Sequence, residues 1–150
     1  MNNFFIAVNI DKDPGFVKTR EIQDYLIKAG KKCEYVGVKR KYEESELEGN
    51  ILSSMPEDTD CVMALGGDGT MIQVADALSG KSIPMIGINM GHLGFLAEVA
   101  IDQVNTVLDR LIRDEFDIEE RMMLSGSTYI AGKKNIIGDA LNDIVITRLG

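Results

Sequence analysis

This sequence predicts an open parallel α/β sheet with glycine-rich loops at its strand ends, followed by the start of an all-β unit. Three observations carry that expectation. Over the first 117 residues, four short apolar runs alternate with helix-period segments, the pattern of strands buried on both faces between covering helices. The last two of those runs each pass directly into a glycine-rich loop, Gly66-Gly67-Asp68-Gly69-Thr70 and Asn89 to Leu96. From Ile118 onward the helical period disappears and strand-like runs replace it. The expected division is a Rossmann-like α/β unit at residues 1–117 and the beginning of a β-rich, sandwich-like unit at 118–150. A few terminal strands cannot build a core of their own, so the chain is expected to stop inside that second unit.

The elements follow in order. Phe4 to Ile10 is a short apolar run and reads as a buried strand, broken by Asp11, Asp13, Pro14 and Gly15. Phe16 to Ala29 places Val17, Ile22, Tyr25, Leu26 and Ala29 on one helical face, and Gly30 stops it. Cys33 to Val38 is a second strand. Residues 39–58 are polar and acidic, which predicts a solvated loop with one short helix at most. Cys61 to Leu65 is a third strand, and Met71 to Leu78 a helix ended by Ser79-Gly80. Ile83 to Ile88 is a fourth strand. Ile101 to Arg113 carries Val104, Val107, Leu108, Leu111 and Ile112 on one side of a helix. Beyond it, Met122–Ser127, Thr128–Ala131, Ile136–Gly138 and Asp143–Thr147 read as strands, with Gly132-Lys133-Lys134-Asn135 as a hairpin turn.

Composition narrows the function classes. The chain has 150 residues, 45% of them apolar, so it can bury a core without staples. Its net charge of −8 argues against a nucleic-acid binder, which needs a basic face to displace counterions. No apolar run is long enough to span a bilayer, and the N-terminal MNNFFIAVNIDKD lacks the basic region of a signal peptide. Cys33 and Cys61 fall in apolar strands and read as reduced core thiols of a cytoplasmic protein. The eight methionines are scattered and read as core filler.

The loop Gly66 to Thr70 lies where a strand ends and a helix begins, the place where open α/β sheets bind ligands. Its glycines allow close backbone approach, and the helix N-terminus offers free N–H donors suited to phosphate. Asp68 inside it is unusual, because a carboxylate repels phosphate unless it binds a cation or accepts a proton. The bland alternative is a helix-capping Asp. The second loop would share one sheet edge with the first. There Leu93 and Phe95 could wall a pocket for an aromatic base, or cover the sheet end as core residues, a role preferred for Leu96. His92, the sole histidine, has no partners for a metal site or a relay and reads as a loop hydrogen-bonding residue. Asn142-Asp143 is either a turn signal or a pair that binds a sugar hydroxyl or amide. Two decoys fail. Ser79-Gly80-Lys81-Ser82 lacks the first P-loop glycine, position 75 being Ala75, and Gly67-Asp68-Gly69 lacks the third dinucleotide glycine, position 72 being Ile72.

With these stretches together, LGGDGTMIQVADAL at 65–78, IGINMGHLGFLAEV at 86–99, RMMLSG at 121–126 and ALNDIVITR at 140–148, the sequence resembles the NAD kinase family. The GGDGT run is shared with lipid kinases, whereas the NxGxLGFL loop is typical of NAD kinases. The resemblance implies an α/β domain followed by a β-rich one, and transfer of phosphate from ATP or polyphosphate to the adenosine ribose 2′-hydroxyl of NAD, giving NADP. It makes Asp68 the general base. It lays Gly69 and its neighbours against the dinucleotide, Gly67, Thr70, Asn89 and Gly94 counting with them. It lines the NAD pocket with Phe95, Leu93 and Ile72, and gives ribose or adenine to Asn142 and Asp143. It further implies a homodimer or homotetramer whose neighbouring subunit can complete the site. Mg²⁺ or another divalent cation on the donor phosphates would offset their repulsion from Asp68; no protein metal ligands are expected. The alternatives are a lipid or sugar kinase of the GGDGT type, disfavoured by the net charge and the lack of a membrane face, and a non-catalytic NAD(P)-binding module.

Overall fold

A computed structural model describes residues 1–39, 51–91, 94–97 and 99–145. The chain divides into two compact units, Met1–Ile118 and Glu119–Gly150.

In the first unit, β1 (Asn3–Asn9), β2 (Lys32–Val38), β3 (Cys61–Gly66), β4 (Met85–Asn89) and β5 (Val99–Ala100) form one sheet in the order β2-β1-β3-β4-β5. Every neighbouring pair is parallel. Strand side chains alternate between faces, and the burial follows that alternation. Phe4, Ile6, Val8, Cys61, Met63, Leu65 and Ile88 pack on one face. There they meet Ile22 and Leu26 of α1 (Val17–Lys28) and Val104, Leu108 and Leu111 of α3 (Val104–Ile112). Phe5, Ala7, Val62 and Ala64 pack on the other face against Val74 and Ala77 of α2 (Asp68–Ala77), together with Leu78 and Ile51.

The opposite placement of α1 and α2 follows from connection handedness. From β1 the chain steps through α1 to β2 on one side, and from β3 it steps through α2 to β4 on the other. Two right-handed crossovers running in opposite directions put their helices on opposite faces. The connections therefore diverge between β1 and β3, which creates a crevice at the carboxyl ends of those strands.

The expected elements are present with three shifts of boundary. Helix α2 begins at Asp68 rather than Met71, so the glycine-rich stretch supplies its first turn. Strand β4 begins at Met85 rather than Ile83. A 3-10 turn, Ile101–Gln103, precedes α3. Strand β5, two residues long, went unrecognised because so short a run carries no period. Of the polar segment 39–58, residues 40–50 lie outside the described residues. Residues 51–54 are helical, and Ile51 is fully buried in the second core cluster rather than in a solvated loop.

The second unit is an antiparallel hairpin of β6 (Leu124–Ile130) and β7 (Lys133–Ala140). The two strand runs expected at 122–127 and 128–131 are one strand. Its turn is Ala131-Gly132 rather than residues 132–135, since Lys133 and Asn135 already pair with Ile130 and Thr128. Both turn residues have positive φ, 50° and 77°, the geometry of a two-residue type I′ turn. The register shifts near Gly126/Ser127, and Gly138 there takes φ 137°, a β-bulge. Asp143 to Val145, expected as strand, have no regular structure.

Candidate active site

Asn9, Gly66 and Asn89 are the last residues of β1, β3 and β4, side by side at the carboxyl edge of the sheet. The two asparagines turn the chain alike. The Asn9 side-chain oxygen accepts the Asp11 N–H at 2.9 Å, and that of Asn89 accepts the Gly91 N–H at 2.8 Å, each an Asx turn. Gly66 lets α2 start hard against β3, for a Cβ there would fall 2.3 Å from the Thr70 hydroxyl oxygen and 3.1 Å from Asn9 Cβ. Gly67 caps α2 in an extended conformation, and its carbonyl accepts the Thr70 and Met71 N–H groups. The helix N-terminus consequently opens at the crevice with its partial positive charge.

Asp68, the first residue of α2, is half-buried and tied to the second loop. Its Oδ2 accepts the Phe95 N–H at 2.8 Å; its Oδ1 accepts those of Leu96 and Ala97 at 3.1 and 3.2 Å. These bonds, Phe95's foremost and then Leu96's, outweigh partial desolvation and hold the carboxyl below its ordinary value. Asp68 is therefore an ionised carboxylate, with its orientation fixed from 27 residues downstream. Gly94 lies on this carboxyl group: a Cβ at that position would fall 2.1 Å from Oδ1.

The remaining expected site residues are distributed as follows. Gly67 and Gly69 are half-buried at the start of α2. Thr70 is buried, with its hydroxyl turned under Gly66. Ile72 is half-buried on α2, and Asn89 is buried at the end of β4. Phe95 is 97% exposed, so its ring covers no core among the described residues. Leu96, expected in the core, is half-buried, and Ala97 beside it is fully buried. Leu93 and His92 lie outside the described residues. Asn142 and Asp143 are exposed and belong to the second unit.

Two features escaped the sequence reading. Lys12 follows β1, and its Nζ stands 3.8 Å from where Gly91 would carry a Cβ. Because β3 lies between β1 and β4, this ammonium spans the end of β3; the available signal was a lysine just past a strand's carboxyl end. The backbone clasp on Asp68 had no signal at all, since main-chain amides are common to every residue.

Residues 16–116 match the ATP-NAD kinase N-terminal domain. The chain belongs to the NAD kinase family. Both glycine-rich loops of the NAD kinase pattern fall inside that match, whereas Asn142-Asp143 falls beyond it. The chain is 40% identical over 151 aligned residues to an NAD kinase of Lachnospira eligens, covering 100% of this chain and 51% of that protein. It is 38% identical over 154 residues to an NAD kinase of Lachnoclostridium phytofermentans, covering 100% of this chain and 52% of that one. The chain thus spans about half the length of the curated NAD kinases it matches. Among solved structures it resembles yeast NADH kinase complexed with NADH, with a TM-score of 0.67 at 15% identity, over 94% of this chain and 44% of that one; this likeness concerns the fold.

No helix among the described residues is long and apolar enough to cross a membrane. Among those residues, no group of three or more His, Cys, Asp or Glu side chains gathers to hold a metal ion. Asp68 stands alone among them as an acid at the start of α2, with Oδ1 accepting two amides and Oδ2 one. The described side chains therefore gather no ligand set for a divalent cation.

Proposed function

We propose that the protein is an NAD kinase, transferring a phosphoryl group from ATP or polyphosphate to the adenosine ribose 2′-hydroxyl of NAD. The observation that carries this reading is the ionised, amide-oriented Asp68 at the mouth of α2. A carboxylate has about four lone-pair sites. Oδ1 uses two on Leu96 and Ala97, while Oδ2 uses one on Phe95. Among the described residues Oδ2 therefore keeps a lone pair for the substrate hydroxyl.

Sugar hydroxyls are far less acidic than a carboxylic acid, so the proton does not leave first. In a loose phosphoryl-transfer transition state the P–O bond to the donor breaks as the bond to the 2′-oxygen begins to form. The proton then passes to Asp68 Oδ2, late in the step, and the leaving phosphate keeps the bond's electron pair. Gly67 and Gly69 give the substrates room against the backbone, and the α2 amides together with Lys12 face the negative charge. Phe95 presents an exposed ring for the adenine or for a neighbouring subunit. The reading includes Ile72, Leu93 and Asn89 on the nucleotide side, and Asn142 and Asp143 toward ribose or adenine. It also includes Mg²⁺ accompanying the donor, a homodimer or homotetramer, and the cytoplasm.

The test is NADP formation by the complete protein from NAD, ATP and Mg²⁺, with Asp68→Asn beside it. The parent should turn over, and the variant should lose kcat by a factor on the order of 10² or more while keeping NAD affinity. Phosphate arriving on a lipid or sugar instead, or NAD binding without turnover in the parent, overturns the assignment.

A further inference from the structure

We infer that Gly94 is a positioning residue: by carrying no side chain it lets loop 94–97 clasp Asp68 and aim the spare Oδ2 lone pair at the substrate. This rests on the reading of Asp68 as the base, and it moves Gly94 from a nucleotide contact to a support of the reacting group.

The geometry distinguishes space from backbone strain. A Cβ at Gly94 would fall 2.1 Å from Asp68 Oδ1 and 2.5 Å from both Cγ and Oδ2. Those distances are far inside any van der Waals contact, and they involve the carboxyl group itself. Gly94 does not have the positive φ that makes glycine obligatory for torsional reasons, unlike Gly15, Gly30, Gly80, Gly132 and Gly138. At position 94 it is therefore space rather than a left-handed φ that excludes an alanine, and the group in its way is the carboxylate. Gly91, three residues earlier, provides the contrast. A Cβ there meets Lys12 Nζ at 3.8 Å and Asn89 Oδ1 at 3.9 Å, both ordinary contacts.

The clasp also explains how a base can be weakened and still be useful. Three N–H groups lower the proton affinity of Asp68, which makes it a poorer base in water. In a reaction whose proton leaves late, the carboxylate needs to be ionised and aligned more than it needs to be basic. The groups acting on its charge are the Phe95, Leu96 and Ala97 amides and its own partial burial. From the β1 side, the Lys12 ammonium stands against the loop at Gly91.

The experiment uses the complete protein with Gly94→Ala and Gly91→Ala. Gly94→Ala should lower kcat on the order of 10²-fold, as for a misplaced reacting group, with KM for NAD little changed. The acid limb of its kcat/KM profile should move to higher pH, because a carboxylate released from N–H donors protonates more readily. Gly91→Ala should leave that limb where the parent has it. A folded Gly94→Ala enzyme with the parent's kcat and acid limb overturns the proposal. Should that variant fail to fold, the Asp68 ¹³Cγ titration in the parent protein decides, with Asp68→Asn for assignment. A midpoint below the ordinary carboxylate range supports the clasp, and an ordinary midpoint overturns it. The titration needs no turnover, so it separates failure of the clasp from failure of the kinase reading.

Discussion

At the scale of single residues, two carboxylates show how one side-chain type serves two ends. Asp68 holds a loop and keeps a lone pair free. Asp13 spends its capacity on structure. It is 3% exposed, and its oxygens accept the Lys18 N–H at 3.0 Å, the Thr19 N–H at 2.8 Å and the Thr19 hydroxyl at 2.7 Å. Burial alone would raise its pKa, and these bonds more than offset that, leaving it below the ordinary 3.8. Asp13→Ala should cost about 1–3 kcal/mol in urea unfolding of the complete protein at neutral pH, since buried donors lose their acceptor. The sign of the pH dependence follows from a folded pKa that is depressed. The stabilisation is full above the unfolded value and is lost as pH falls through the folded one, so parent and variant should converge in acid below about pH 4. The place of Asp68 was legible in the sequence, because the Gly-Gly-Asp-Gly run lies between an apolar strand and a helical segment. Asp13 was visible only as a breaker, since its partners depend on the turn at Phe16, a non-glycine residue at φ 58°.

At the scale of elements, strands announced themselves by composition and turns did not. Runs such as CVMAL are apolar throughout because both faces are covered, and all six residues of β3 are buried. The hairpin was harder. Gly-Lys-Lys-Asn looks like a polar turn, but three of its residues belong to the ladder, and polarity is what an exposed strand permits. The actual turn puts Ala131 at φ 50°, a conformation that costs an L-residue roughly 1 kcal/mol or more. Asn tolerates it far better, and Asn-Gly is the favoured pair for this turn. Ala131→Asn should therefore raise the stability of the complete protein by up to about 1 kcal/mol. A thermal unfolding comparison checks it, and a lower Tm in the variant would contradict the turn type.

At the scale of the whole molecule, the two units are unequal in what they bury. The first has a sheet sandwiched between two hydrophobic clusters. The second leaves Leu124, Tyr129 and Ile130 of its hairpin exposed, and an isolated two-stranded hairpin is marginal in water. In the 150-residue chain, amide hydrogen exchange should be slowest in β1 and β3 and close to the open-chain rate in β6 and β7. Equal protection of the two sheets would show that the hairpin has an apolar cover. The parallel sheet was legible from the alternation of apolar runs, whereas strand order was not, because it depends on which side each crossover steps.

One consequence of that sheet concerns the thiols of Cys33 and Cys61. Cys33 and Cys61 both sit opposite Phe4, one on each flank, in the same buried layer. Two strand spacings put their backbones roughly 10 Å apart, beyond the reach of a disulfide. Burial pushes each thiol up to about 12, so neither reacts while the sheet is closed. The rate at which an alkylating reagent consumes them is therefore a clock for the opening of the β2-β1-β3 strip, already wired into the native chain without any engineered label.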